Sequence, residues 1–187
     1  MRAEAMEGGF ADPSTASAHA FRAIMEAMAR PGRIESVKGA VPPPPMSPAA
    51  GAVVLTLCDH DTPLHLAAGF DTPETRAWVT FHTGAPVAAA DAAAFALGDW
   101  DGLLPLSQYR RGNPEYPDQS ATLIVELAGL STDGATLRGP GIRDEAQLSL
   151  PETRAFRENA QTFPLGLDFL FTCGGRLAAL PRSTEVL

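Results

Sequence analysis

The chain has 187 residues, a formal net charge of -8 and 45% hydrophobic residues, which suits one globular domain or one domain and a small extension. That acidity argues against a duplex nucleic acid or an anionic membrane surface as partner, because both select a basic face. No apolar run is long enough to cross a bilayer and Met1 to Phe10 carries no signal-peptide core, so a cytoplasmic location is expected.

Residues 1–13 read as a flexible N-terminus and residues 14–187 as a single α/β domain. Ser14, Thr15 and Ser17 offer N-caps for a first helix, with Phe21, Ile24, Met25 and Met28 as its apolar stripe. Arg22, Glu26 and Arg30 fall on the solvent side, and His19 reads as a surface histidine. Pro31-Gly32 stops the helix, and a short strand is expected over 33–37. Val41 and the four prolines after it read as a polyproline II connector rather than a docking ligand. Ser47-Pro48 is an N-cap and first-turn pair for a buried helix over 49–58, although its Val-Val-Leu-Thr-Leu run also has strand propensity. Asp59 to Thr62 turns into a strand over 64–67. Asp71 and Glu74 have capping-box spacing for a helix through Trp78 and Phe81 to Gly84.

An alanine-rich stretch leads to a strand at 95–97 and a short helix over 103–109. The segment 110–119, with two prolines and no period, is a surface loop. Residues 121–127 form a strand, and 135–138 are expected to return beside it as a hairpin. A strand near 147–150 follows. Ser149, Pro151 and Glu152 then start a helix to about Ala160. The C-terminal stretch is the most informative. Leu167 to Cys173 and Arg176 to Leu180 flank Gly174-Gly175, a two-residue hairpin loop. Leu167, Phe169, Phe171 and Cys173 share one face, and Leu170 sits on the other, so the strand is expected to be covered on both sides. Asp168 interrupts this run and needs partners. The loop register places Arg182 on the opposite face, which favours Ser183, Thr184 or loop N–H groups as its partners. Asp168 then pins the base of the hairpin, with an active-site carboxylate as the other reading.

These elements make one three-layer α/β domain, a mixed sheet flanked by helices. Chemistry is sparse in it. Gly139-Pro-Gly141 lacks a P-loop continuation, and no Gly-x-Ser-x-Gly elbow occurs. Cys58, His60, His65 and His82 match no usual zinc spacing, so no metal is expected. Cys58 and Cys173 read as buried free thiols. Lys38 is the single lysine. Any Schiff-base chemistry would have to use it, and no glycine-rich phosphate cradle accompanies it. His60 and Asp61, with Asp59, form a polar cluster that suits a turn held by aspartates or a general base. His60, Asp61, Asp168 and Arg182 are therefore the candidate polar site.

Six segments point to a family: 21–34 (FRAIMEAMARPGRI), 55–66 (LTLCDHDTPLHL), 81–86 (FHTGAP), 120–127 (SATLIVEL), 137–142 (LRGPGI) and 163–184 (FPLGLDFLFTCGGRLAALPRST). Together they resemble the PhnH family, the H subunits of the bacterial carbon–phosphorus lyase system for phosphonate use. The resemblance implies a fold similar to the large domain of pyridoxal-phosphate-dependent transferases, without the cofactor or its lysine. It implies homodimers, and a core complex with the G, I and J subunits. With G, I and the L subunit, such a chain supports transfer of an alkylphosphonate to the ribose of ATP with loss of adenine. The product is a ribose 1-phosphonate 5-triphosphate, cleaved later by the J subunit once pyrophosphate has been removed. The nucleosidase-like step is attributed to the I subunit, and no catalytic motif of the H subunit is available to transfer to these residues.

Overall fold

The computed structural model describes residues 7–187. Four helices, α1 (Pro13–Ala29), α2 (Pro48–Leu57), α3 (Pro73–Thr83) and α4 (Arg154–Ala160), alternate with nine strands. Six of these build the main sheet: β1 (Glu35–Ser36), β2 (Leu64–Leu66), β3 (Phe95–Asp99), β4 (Thr122–Glu126), β7 (Asp168–Cys173) and β8 (Arg176–Leu180). Their order is β1-β8-β7-β4-β3-β2. Strands β2, β3, β4 and β7 are parallel, and β8 is antiparallel to both its neighbours, so the sheet is mixed. A second, antiparallel sheet joins β6 (Ala146–Leu148), β5 (Ala135–Arg138) and β9 (Glu185–Val186).

Strand β7 is buried along four consecutive residues, Phe169 to Thr172. Its alternate side chains enter two separate cores. Leu170 joins Leu66, Leu97, Ile124 and Ala179 against α1, α2 and α3. Phe169 and Phe171 join Leu123, Val125 and Ala178 on the other face. There Phe156 of α4 meets Phe169 edge-on at 4.9 Å, and Trp100 lies 4.8 Å from Phe156. Helices α1 to α3 thus cover one face. The other is closed by the seven-residue α4, the small sheet through Leu137, Leu148 and Val186, and the turns carrying Leu103, Leu106 and Tyr109.

Three expectations need correction. Residues 135–138 do not return beside 121–127. Both edges of β4 are filled along its length by β3 and β7, so β5 pairs with β6 and β9 instead. The buried row of α1 is Ala20, Ile24 and Ala27, while Phe21 and Met25 are 48% and 55% exposed. Alanines bring the helix close to the sheet, and a stripe read from large side chains alone is rotated away from the true contact. The helix caps shift as well. Asp12 caps α1, and its carboxyl is held below its ordinary value by the hydrogen bonds from Thr15. Thr72 caps α3, leaving Asp71 to pair with Arg76. No side chain caps Thr153 at the start of α4, although Glu152 accepts from Ala155 N–H at 3.3 Å.

Helix α2 is apolar all round, with Ala49 to Val54 fully buried, so it needs cover on its outer side too. The proline segment supplies part of that cover. It does not run as an isolated polyproline II rod: Met46 N–H closes a turn onto Pro43 C=O at 3.2 Å, and Pro42 packs on Gly51. Of the expected flexible segment 1–13, residues 1–6 lie outside the described residues. Residues 7–12 lie alongside this cover, where Val41 N–H donates to Gly8 C=O (2.8 Å), Trp78 Nε1–H to Glu7 C=O (3.2 Å), and Phe10 packs on the core.

Gly51 tests how tight that cover is. A Cβ there would stand 2.6 Å from Pro42 Cγ. Alanine normally gains about 1 kcal/mol over glycine inside a helix, whereas overpacking costs about 1–3 kcal/mol. Gly51→Ala is expected to lower stability in urea unfolding; a more stable variant would show that the connector does not press on α2.

Candidate functional site

The four candidate residues lie at one end of the sheet, where the parallel strands begin, but they form two separate pairs. Asp168 opens β7, and His60 and Asp61 precede β2. Strands β4 and β3 lie between β7 and β2. Three interstrand steps are roughly 14 Å, too far for a shared hydrogen-bond network.

Asp168 and Arg182 do meet, contrary to the register argument. The Gly-Gly loop has the expected length, with Cys173 opposite Arg176. Only Gly174 takes a positive φ, 58°, which fits a II′ turn. Pairing ends at Leu180, however, and Thr184 N–H then donates to Pro181 C=O at 2.9 Å. Once the chain turns, strand alternation no longer governs where Arg182 points. Its backbone N–H reaches Asp168 Oδ1 at 2.8 Å, its Nε–H reaches the same oxygen at 3.2 Å, and a terminal N–H reaches Oδ2. Its remaining guanidinium nitrogen donates to Pro117 C=O at 2.6 Å. The side chains of Arg182 and Asp168 are 14% and 15% exposed. Asp168 is therefore the pin of the hairpin base, and Arg182 ties the 110–119 loop to it. Of the expected partners, a loop N–H is present in the Arg182 backbone N–H, whereas the Ser183 and Thr184 hydroxyls do not reach Asp168, and that of Thr184 is buried without a hydrogen bond.

His60 and Asp61 make an exposed pair, 3.2 Å apart with side chains 80% and 82% exposed. The turn beneath them is held by Asp59, whose carboxylate accepts from Asp61 N–H at 2.9 Å and from the Thr62 hydroxyl at 3.2 Å. The turn reading fits this geometry. His65 is satisfied locally, with Nδ1 3.1 Å from Ala88 C=O and its ring edge-on to Tyr109. Burial pushes the Cys58 thiol up to about 12, leaving it an inert core group, while Cys173 is half-buried. Among the described residues no three His, Cys, Asp or Glu side chains converge on a metal position.

At the opposite end of the sheet stands a carboxylate that the sequence reading missed. Glu126 ends β4 beneath the start of α2; it accepts from Ser47 N–H (3.3 Å) and from the Thr172 hydroxyl (2.9 Å). Burial raises its carboxyl above the ordinary value, with these hydrogen bonds opposing the shift. Its sequence signal was a single charge inside an apolar strand. A helix N-terminus over the carboxyl ends of parallel strands is where α/β folds hold phosphate groups. Here the donors are already used. Pro48 has no N–H, Ala49 N–H donates to Gly174 C=O (2.8 Å), and Ala50 N–H to Ser47 Oγ (3.1 Å). Lys38, exposed beyond β1, lines a depression with Asp12, Thr15 and His19 instead. These residues do not fit pyridoxal phosphate.

A family model described as bacterial phosphonate metabolism protein (PhnH) matches residues 8–187. The chain belongs to the PhnH family. It is 38% identical over 188 residues to the PhnH subunit of alpha-D-ribose 1-methylphosphonate 5-triphosphate synthase from Rhizobium meliloti (strain 1021), covering 96% of this chain and 94% of that one. It is 31% identical over 179 residues to HtxG of Stutzerimonas stutzeri, named as a candidate C-P lyase subunit, covering 89% and 84%. Within the PhnH-like C-terminal segment, Asp168 and Arg182 are the two residues that lock the hairpin to the loop.

Truncating one side of a largely buried ion pair strands the other charge, which costs about 3–5 kcal/mol. Asp168→Ala and Arg182→Ala are each expected to approach that loss in urea unfolding, and the double variant to lose much less than their sum. His60→Ala with Asp61→Ala should stay within about 0.5 kcal/mol of wild type. Additive losses at 168 and 182 would show that the pair does not act as a unit.

Proposed function

We propose that this chain is a subunit of the carbon–phosphorus lyase assembly of organic phosphonate catabolism. There it supports formation of a ribose 1-phosphonate 5-triphosphate from ATP and an alkylphosphonate. The observation that carries this reading is the match to the PhnH family over nearly the whole chain. In this reading the chain works in the cytoplasm with the G, I and J subunits, and with L during the transfer step, and it is a homodimer when alone.

Its contribution is to shape the assembly rather than to make or break a bond. The internal geometry supports that division of labour. Asp168 and Arg182 satisfy one another, Glu126 is engaged by Ser47 and Thr172, and the α2 donors are used within the chain. The described surface also carries exposed apolar side chains: Phe21, Met25, Val41, Phe81, Tyr116 and Phe163. Groups of this kind anchor protein interfaces. Co-expression with the G, I and J subunits is expected to yield one particle that retains this chain through affinity purification and gel filtration. A chain that never co-purifies with them would contradict the proposal.

A further inference from the structure

The main sheet ends in β2 on one side and in β1 on the other, and the two edges differ. The β2 edge is closed from within: Leu64 N–H donates to Pro86 C=O and Leu64 C=O accepts from Ala88 N–H, both at 2.9 Å. The β1 edge is open. Glu35 stands opposite Leu177 and Ser36 opposite Arg176, and Val37 N–H donates to Gly175 C=O at 2.9 Å. Facing residues of an antiparallel pair alternate between bonded and unbonded positions. Val37 is bonded, so Ser36 is not, and its N–H and C=O point off the sheet. Among the described residues no main-chain group bonds to them. Beside this edge runs a groove of about 380 Å³, with residues 36–39 as one wall and Thr15, Ala16 and His19 on one side of α1 as the other.

We propose that this groove receives an extended segment of a partner protein, which adds to the main sheet beside β1. The inference rests on the assembly reading for its partner and assigns the surface that meets it. An unpaired edge strand is a template for another strand, and a segment laid along such an edge gains affinity from main-chain bonds and selectivity from the pockets its side chains enter. Ser36 offers one donor and one acceptor to the incoming main chain. Alternate side chains of an added strand fall on the α1 side of the sheet. There they meet Ala16, Ala20 and Val37, the last two being part of the core beneath α1, so the segment carries an apolar side chain at that point. With two residues, β1 is too short an edge to join two whole sheets, and short strands with a nearby lysine, here Lys38, discourage such joining. A single segment lying in the groove has the α1 wall as further contact, which the bare edge would not provide.

Co-expression with the G, I and J subunits supplies the partner, and amide hydrogen exchange over residues 34–39 reads the edge. These amides are expected to exchange more slowly in the particle than in the isolated chain. Ser36→Pro removes the outward N–H without costing β8 a bond, and edge strands tolerate proline; it is expected to weaken retention in the particle at least about tenfold. Ser36→Ala keeps the main chain and should be retained like wild type. Thr15→Trp with His19→Trp fills the groove from the exposed side of α1 and should weaken retention as Ser36→Pro does; it decides the matter if circular dichroism shows Ser36→Pro to be unfolded. Retention of the groove-filling variant, or of a folded Ser36→Pro, at the wild-type level overturns the assigned edge and leaves the place in the assembly standing. Equal losses from Ser36→Ala and Ser36→Pro overturn main-chain addition. Slow exchange over 34–39 already in the isolated chain shows the edge to be occupied without a partner and overturns the proposal. A wild-type chain that joins no particle overturns the assembly reading itself, and this inference with it.

Discussion

Strand β7 imposes the constraint on which the rest of the fold depends: it is apolar on both faces, so both must be covered. Helices α1 to α3 cover one face. The other is assembled from α4, a small sheet and several turns around the Phe156, Phe169, Phe171 and Trp100 cluster. The Asp168–Arg182 lock stands at the open end of the same strand. It lets a charged residue begin an otherwise apolar element and anchors the surface loop at Pro117.

The same economy explains why the interior offers little free chemistry. Helix α2 sits over the carboxyl ends of β4 and β7, where its N-terminal donors would suit an anionic group. Glu126, Ser47 and the Gly174 carbonyl fill that corner instead. Outside α2, the proline segment and residues 7–12 complete the cover. A helix hydrophobic on every side is sandwiched between the sheet and a lid of backbone and prolines. On the outward side, α1, α3 and the connector carry the exposed apolar side chains Phe21, Met25, Phe81 and Val41.

Much of this was legible in the sequence where local chemistry decides the outcome. Gly174-Gly175 set the hairpin, Ser47-Pro48 set the start of α2, and the alternation around Leu170 set two covered faces. Legibility failed where longer-range packing decides. The partners of β4 lie at residues 95–99 and 168–172, so the nearby 135–138 segment had no free edge to join. The contact face of α1 is made of alanines, which periodicity based on large side chains overlooks. Arg182 points where a turn sends it, two residues beyond the last paired one. Glu126, a single charge inside an apolar run, did not stand out, because its partners Ser47 and Thr172 are distant in sequence. Of the four candidate site residues, the sequence placed His60 and Asp61 in one cluster but turned Arg182 away from Asp168, and it did not show that the two pairs stand apart across the sheet.

The central claim, that the chain contributes surface rather than chemistry to phosphonate transfer, is tested most directly by following adenine release from ATP in the presence of methylphosphonate. The account predicts no release by the isolated chain. It predicts release by the assembled G, I and L subunits with this chain present, and loss of that release when it is left out. Adenine released by the isolated chain would contradict the account.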